Sequence, residues 1–218
     1  MISLAHAQAI TFLVLLFFAY VFSITISGNI QAYLAKKCGD ATASDQGFTE
    51  FNPFLFINWF DIVWFLIFQI MIGRPVPLEL RHGMDRRRRW WKSRVFLIFS
   101  SRTFCNVFIA LCASLAQVAI FVISNGSQAT IVGLLFQFCI ALIRANLFLA
   151  TFECCRQAIH FFILYKLEKD YRFIEHADYI LVLGPLFLWL FFGKTIIYTF
   201  AYTIDCLVLG IATACGVQ

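Results

Sequence analysis

"ITFLVLLFFAYVFSITI", residues 10–26, decides the class of this chain. The run carries no charge and nearly fills the ~20 apolar positions a helix needs to cross a ~30 Å hydrocarbon core. The whole chain has the same character: 218 residues, 61% hydrophobic, 27 Phe and only 13% charged. A soluble domain of this length requires far more polar surface, so lipid must solvate most of the exterior. Lipid offers no hydrogen bonds to an open backbone, which leaves helices or a closed barrel. The apolar runs are much longer than the ~10-residue alternating segments of barrel strands. The expected fold is therefore all-α: a polytopic helical membrane protein.

Outward from that first run, candidate membrane segments fall at 8–35, 54–72, 95–123, 130–152, 179–193 and 195–215. They give five or six membrane segments in a single domain over 1–218. Segment 54–72 follows Asn52-Pro53 and carries Asn58, Asp61 and Gln69, so a full crossing and a re-entrant path both remain open. Segment 156–176 mixes charged and apolar residues and reads as a helix lying on the membrane surface. Residues 1–9 lack a basic n-region and the run after them exceeds a signal h-region, so the first segment reads as a membrane helix. No internal repeat supports an inverted-repeat transporter.

The loop 74–94, RPVPLELRHGMDRRRRWWKSR, holds eight of the 17 Lys and Arg and is expected on the cytoplasmic, matrix or stromal side. Within it, Arg86, Arg87, Arg88 and Arg89 followed by Trp90 and Trp91 form an anchor for anionic lipid headgroups or a dock for a soluble partner. One short loop outside any RNA-binding fold does not point to nucleic acid. If 54–72 re-enters, Lys36 and Lys37 share that basic side and the N-terminus lies opposite; if it crosses, the N-terminus lies on the basic side. Arg156, Lys166, Lys169 and Arg172 form a second basic cluster on the same side in both cases.

Several polar residues interrupt the apolar runs: Asp61, Arg102, Asn106, Arg144 and Asp205. A charge at membrane depth costs a few kcal/mol, so each needs a partner or water. Arg102 is close enough to the basic loop to snorkel. Arg144, flanked by Gln137 and Asn146, is expected to pair with Asp205 or with a neighbouring subunit. The eight Cys are scattered through apolar runs and read as small packing residues, with no metal-ligand or disulfide spacing.

Read in series, the polar landmarks are SGNIQAYLAKKCGDATA at 27–43, GFTEFNPFLFINWFD at 47–61, GRPVPL at 73–78 and FSSRTFCN at 99–106. Over residues 20–110 this order resembles the site-2 protease family of intramembrane zinc metalloproteases in its small form. In that family the first helix carries HExxH and ends in Gly-Asp. A sequence like NPxxHIDPxG follows, then a PVP stretch, a helix opening AGPxxN and a late LDG-type aspartate. Gly39-Asp40, Asn52-Pro53, Ile57, Pro75-Val76-Pro77 and Asn106 fit the template.

Zinc catalysis in that family uses two His one helical turn apart and a Glu between them as base on a zinc-held water. Aligned on Gly39-Asp40, those positions hold Ser27, Gly28 and Gln31. The NPxxH histidine falls on Phe56 and the aspartate two residues later on Asn58. Ala-Gly-Pro falls on Ser101-Arg102-Thr103, and LDG has no counterpart. The nearest stretch, 150–162, offers Glu153 and His160. The four His, at 6, 82, 160 and 176, form no i,i+4 pair.

The resemblance implies a scaffold that kept loop and capping residues and lost its metal ligands: not an enzyme, with no metal and no cofactor. The expected role is a structural or assembly subunit of a larger membrane complex, in a bacterial inner membrane or an organelle inner membrane. Its partners would be membrane lipids at the basic loop and other membrane-protein subunits. The alternatives are a divergent active intramembrane metalloprotease and a small transporter or channel component.

Overall fold

The computed structural model describes residues 4–78, 91–124 and 130–166, with the single positions 191, 195, 198, 199 and 202. Among the described residues all regular structure is helical. In order it comprises α1 (Leu4–Cys38), α2 (Thr42–Asp45), a 3-10 turn (Pro53–Leu55), α3 (Trp59–Phe68), α4 (Trp91–Ser124) and α5 (Thr130–Lys166). Three stretches, His6–Cys38, Ser93–Ser124 and Thr130–Gln157, are long and apolar enough to cross a membrane. The expected segments 179–193 and 195–215, and residues 79–90 of the basic loop, lie outside the described residues apart from those single positions.

α1 ends where its sequence tells it to. Gly39 takes φ 105, a conformation open to glycine at little cost. Asp40 N–H then donates to Ala35 O at 2.9 Å and Gly39 N–H to Lys36 O at 3.1 Å, the paired bonds of a Schellman stop. Lys36 and Lys37 occupy the last turn, where the helix dipole favours cations. The Gly-Asp that closes the first apolar run is thus a helix terminator.

The long helices pack through small and polar positions. α1 buries Leu16, Ala19, Tyr20, Ser23, Ile24, Ser27, Gln31 and Ala35, close to a 3–4 residue period on one face. Ala110 and Ala113 on α4 and Ala141 and Ala145 on α5 are buried too, and residues this small let backbones approach closely where water exclusion does not drive association. Arg102 on α4 meets Glu153 on α5, and Phe99 meets Gln157, so the two helices run antiparallel. Gln31 near the end of α1 donates to Ile98 O near the start of α4 at 3.3 Å. Ser23 and Asn146 join α1 to α5 at 2.8 Å.

Segment 54–72, for which a crossing and a re-entrant path both remained open, holds no helix long enough to span a membrane. Its helix, α3, has 10 residues, about 15 Å at 1.5 Å per residue and half of a ~30 Å core. The chain also turns back: Arg74 N–H donates to Phe56 O at 2.7 Å, joining the two ends of the excursion. Asp61 pins the same hairpin, accepting from Asn58 N–H at 2.8 Å and Gly73 N–H at 3.0 Å. α3 lies on α1 through Phe65, whose ring meets Phe17 at 5.4 Å and Tyr20 at 6.1 Å. The returning strand-like stretch buries Met71, Val76 and Leu78.

Of the surface helix expected at 156–176, residues 167–176 lie outside the described residues. α5 continues unbroken to Lys166, so 156–166 is its last part. Arg156 is 8% exposed, turned into the bundle rather than outward with a solvated basic cluster.

Gly73 ties the hairpin to α1. It holds φ +77, and a Cβ there would stand 2.5 Å from Cγ2 of fully buried Ile24. Gly73→Ala is expected to lose roughly 1–2 kcal/mol to the left-handed backbone and about 1–3 kcal/mol to overpacking. Gly47→Ala, at φ +82 with its nearest side-chain atom 3.6 Å away, should lose only the backbone part. Melting temperatures of the two purified variants check this, and equal losses would count against close Gly73–Ile24 packing.

Candidate functional site

The positions that the resemblance assigns to zinc chemistry fall together on the buried face of α1 and against the hairpin. Ser27 is fully buried and its hydroxyl points back to Ile24 O at 3.4 Å. Gln31, 2% exposed, gives its Nε2 to Ile98 O, while its Oε1 has no hydrogen-bond partner. At Gly28 the space a side chain would take is filled by the Phe56 ring, whose Cδ1 and Cε1 a Cβ would overlap. Phe56 is itself fully buried and stands edge-on to Phe48, with centroids 5.2 Å apart.

Local chemistry places that ring. Asn52 accepts from Phe54 N–H at 3.1 Å, and Pro53 opens the 3-10 turn with its φ already set. Phe56 N–H closes the turn on Pro53 O at 3.1 Å. Asn58, two residues on, is the N-cap of α3, held through its own N–H by Asp61. Asp61 is 8% exposed and serves as a cap and hairpin clasp, which accounts for a carboxylate in an apolar run.

A second buried cluster joins α4 to α5. Arg102 does not snorkel: it is 1% exposed, and its Nη1 lies 3.1 Å from Glu153 Oε1. The other Glu153 oxygen takes Arg156 Nη2 at 2.7 Å. One carboxylate therefore sits between two guanidiniums with almost no access to water. Gln157 braces the same level, donating to Phe99 O and to Thr103 Oγ1 at 2.9 Å. Asn106, one turn beyond Arg102, is 1% exposed, and neither of its amide atoms has a hydrogen-bond partner.

Sequence reasoning took Glu153 only as a failed match to a motif and missed its role. Two signals pointed to it. Glu153 and Arg156 stand at i,i+3, a spacing that brings side chains together on a helix. And Arg102, deep in an apolar run, needed a carboxylate that few positions could supply.

Arg144 is exposed on α5 and has no ion pair among the described residues. Asp205, Arg86, Arg87, Arg88, Arg89 and Trp90 lie outside the described residues, and Trp91 opens α4. Among the described residues no three His, Cys, Asp or Glu converge to hold a metal ion. Apart from Asn106 and Arg144, the polar groups placed here cap helices, bond backbone carbonyls or bridge α4 to α5. No protein-family model matches the chain, nor does any curated protein or solved structure.

Proposed function

We propose that the chain is an integral membrane protein with a site-2-protease-like layout and no catalysis, serving as a structural or assembly subunit of a larger membrane complex. The observation that carries this is the Phe56 ring packed on Gly28. On the resemblance, Gly28 stands where the catalytic Glu would be and Phe56 where a loop His would be. A buried aromatic contact in that place excludes the water a metalloprotease must activate. Ser27 and Gln31, at the two His positions, are turned to helix backbone. On this reading α3 is a re-entrant hairpin, the C-terminal end of α1 with Lys36 and Lys37 shares the cytoplasmic, matrix or stromal side with the basic loop, and the N-terminus lies opposite. The exposed Phe54, Trp59, Leu66 and Ile67 of the hairpin then face lipid or partner helices.

Two measurements on the full chain test the proposal. Purification from native membranes in mild detergent should retain other membrane subunits in fixed ratio, and metal analysis should find zinc well below one per chain. A lone monomer would overturn the subunit role. Stoichiometric zinc would overturn the loss of catalysis and point to the divergent protease.

A further inference from the structure

We propose that Ser23, Asn106 and Asn146 form a buried binding site for a water molecule that bridges α1, α4 and α5 in the middle of the bundle. The inference needs the packing of the three helices and not the role proposed above. Gln31 of α1 is bonded to Ile98 of α4. Eight residues from that bond along each helix stand Ser23 and Asn106, roughly 12 Å deeper at 1.5 Å per residue. On α5, Asn146 gives its Nδ2 to Ser23 Oγ at 2.8 Å, which sets it at the same depth. Each helix thus brings one polar residue to a common level. Ser23 and Asn146 are fully buried there, and Asn106 is 1% exposed.

The bonds already made define the ligand. Ser23 Oγ donates to Ala19 O at 2.7 Å and accepts from Asn146. Asn146 Nδ2 donates to Leu142 O as well as to Ser23, so its two protons are used. Asn146 Oδ1 and both amide atoms of Asn106 have no hydrogen-bond partner. An amide buried without bonds is costly, and folded proteins meet that cost with a partner or with internal water. One amide donor and two carbonyl acceptors remain. A metal cation takes about six oxygens and finds two. An anion finds a single neutral donor beside two carbonyl oxygens. Water accepts once and donates twice, which matches all three atoms and the ~3 hydrogen bonds a buried water makes. Ala19 and Ala110, one turn further along α1 and α4, and Ala145 beside Asn146 are fully buried and bring only methyl groups to this region, which suits an occupant no larger than water. The water ties α4 to α1 and α5 at mid-span, where the next buried hydroxyl of α4, Ser114, bonds only its own helix at Ala110 O.

Solid-state NMR of the unmodified full-length chain in lipid bilayers, with magnetisation started on water, tests the site. The side-chain amide of Asn106 should receive water magnetisation, as should that of exposed Asn58, the control. A response at Asn58 with none at Asn106 would overturn the proposal. A direct contact between the Asn106 and Asn146 amides without transfer from water would overturn it in favour of a bond between the two side chains. Unfolding in mild detergent gives a second, independent sign. Asn106→Leu keeps the volume and removes the amide. Its melting temperature should fall by roughly 2–4 °C, the shift one lost hydrogen bond produces in a chain of this size. An unchanged or higher melting temperature would mean that the amide is bonded to nothing in the parent chain, and the site would be overturned.

Discussion

Glu153→Gln is expected to destabilise the fold by about 3–5 kcal/mol, the usual penalty for removing one partner of a buried ion pair. The isosteric amide keeps the volume and removes the charge. Arg102 and Arg156, at 1% and 8% exposure, would then face each other with no carboxylate between them. Removing the whole cluster should be far milder. Arg102→Met, Glu153→Leu and Arg156→Met together replace three desolvated charges with apolar volume, a change that is often neutral or stabilising. Single replacement of Arg102 should fall between, since it leaves Glu153 bonded to Arg156. Unfolding curves in mild detergent check the order. A Glu153→Gln protein as stable as the parent would show that water reaches the cluster.

Gly28→Glu is the second large effect, and it bears on the proposed loss of catalysis. Restoring the acid that the resemblance places there should cripple the fold without creating an active site. Its Cβ would already overlap the Phe56 ring, which is fully buried and braced by Phe48. Overpacking of that kind costs roughly 1–3 kcal/mol. A carboxylic acid left there without a partner adds about 2–7 kcal/mol. The steric part can be isolated by a double-mutant cycle. Gly28→Ala and Phe56→Ala should each destabilise, and the pair together should cost less than their sum, because the truncated ring makes room for the new methyl. Strict additivity would mean that the two residues do not touch. Uptake of zinc by Gly28→Glu would contradict the proposed function directly.

Much of the local structure was legible without coordinates. Gly39-Asp40 entered only as a match to the family pattern, but glycine enters the left-handed region freely, and that is how α1 ends. Asn52-Pro53 likewise entered only as a match, but the Asn side chain can accept from the backbone and Pro fixes φ, and the 3-10 turn follows. The apolar runs gave the three long helices, two with ends displaced by a few residues and the third extended from 152 to Lys166. What stayed open has one cause. Whether 54–72 crosses, and whether 156–166 lies on a surface, depend on contacts far along the chain, and composition cannot register them. A run of that length with Asn58, Asp61 and Gln69 is compatible with a span until Arg74 is found bonded to Phe56.

The candidate site divides in the same way. That Ser27, Gly28 and Gln31 offer no zinc ligands or base follows from residue types alone, because side-chain chemistry is carried by each position without reference to its neighbours. That Phe56 lies on Gly28, and that Arg102 turns inward to a Glu153 shared with Arg156, required the packed bundle. Period and composition can place a charge on a helix. Only the approach of a second helix decides whether that charge looks toward the surface or finds its counter-ion inside, because Coulomb attraction depends on a distance that tertiary packing sets.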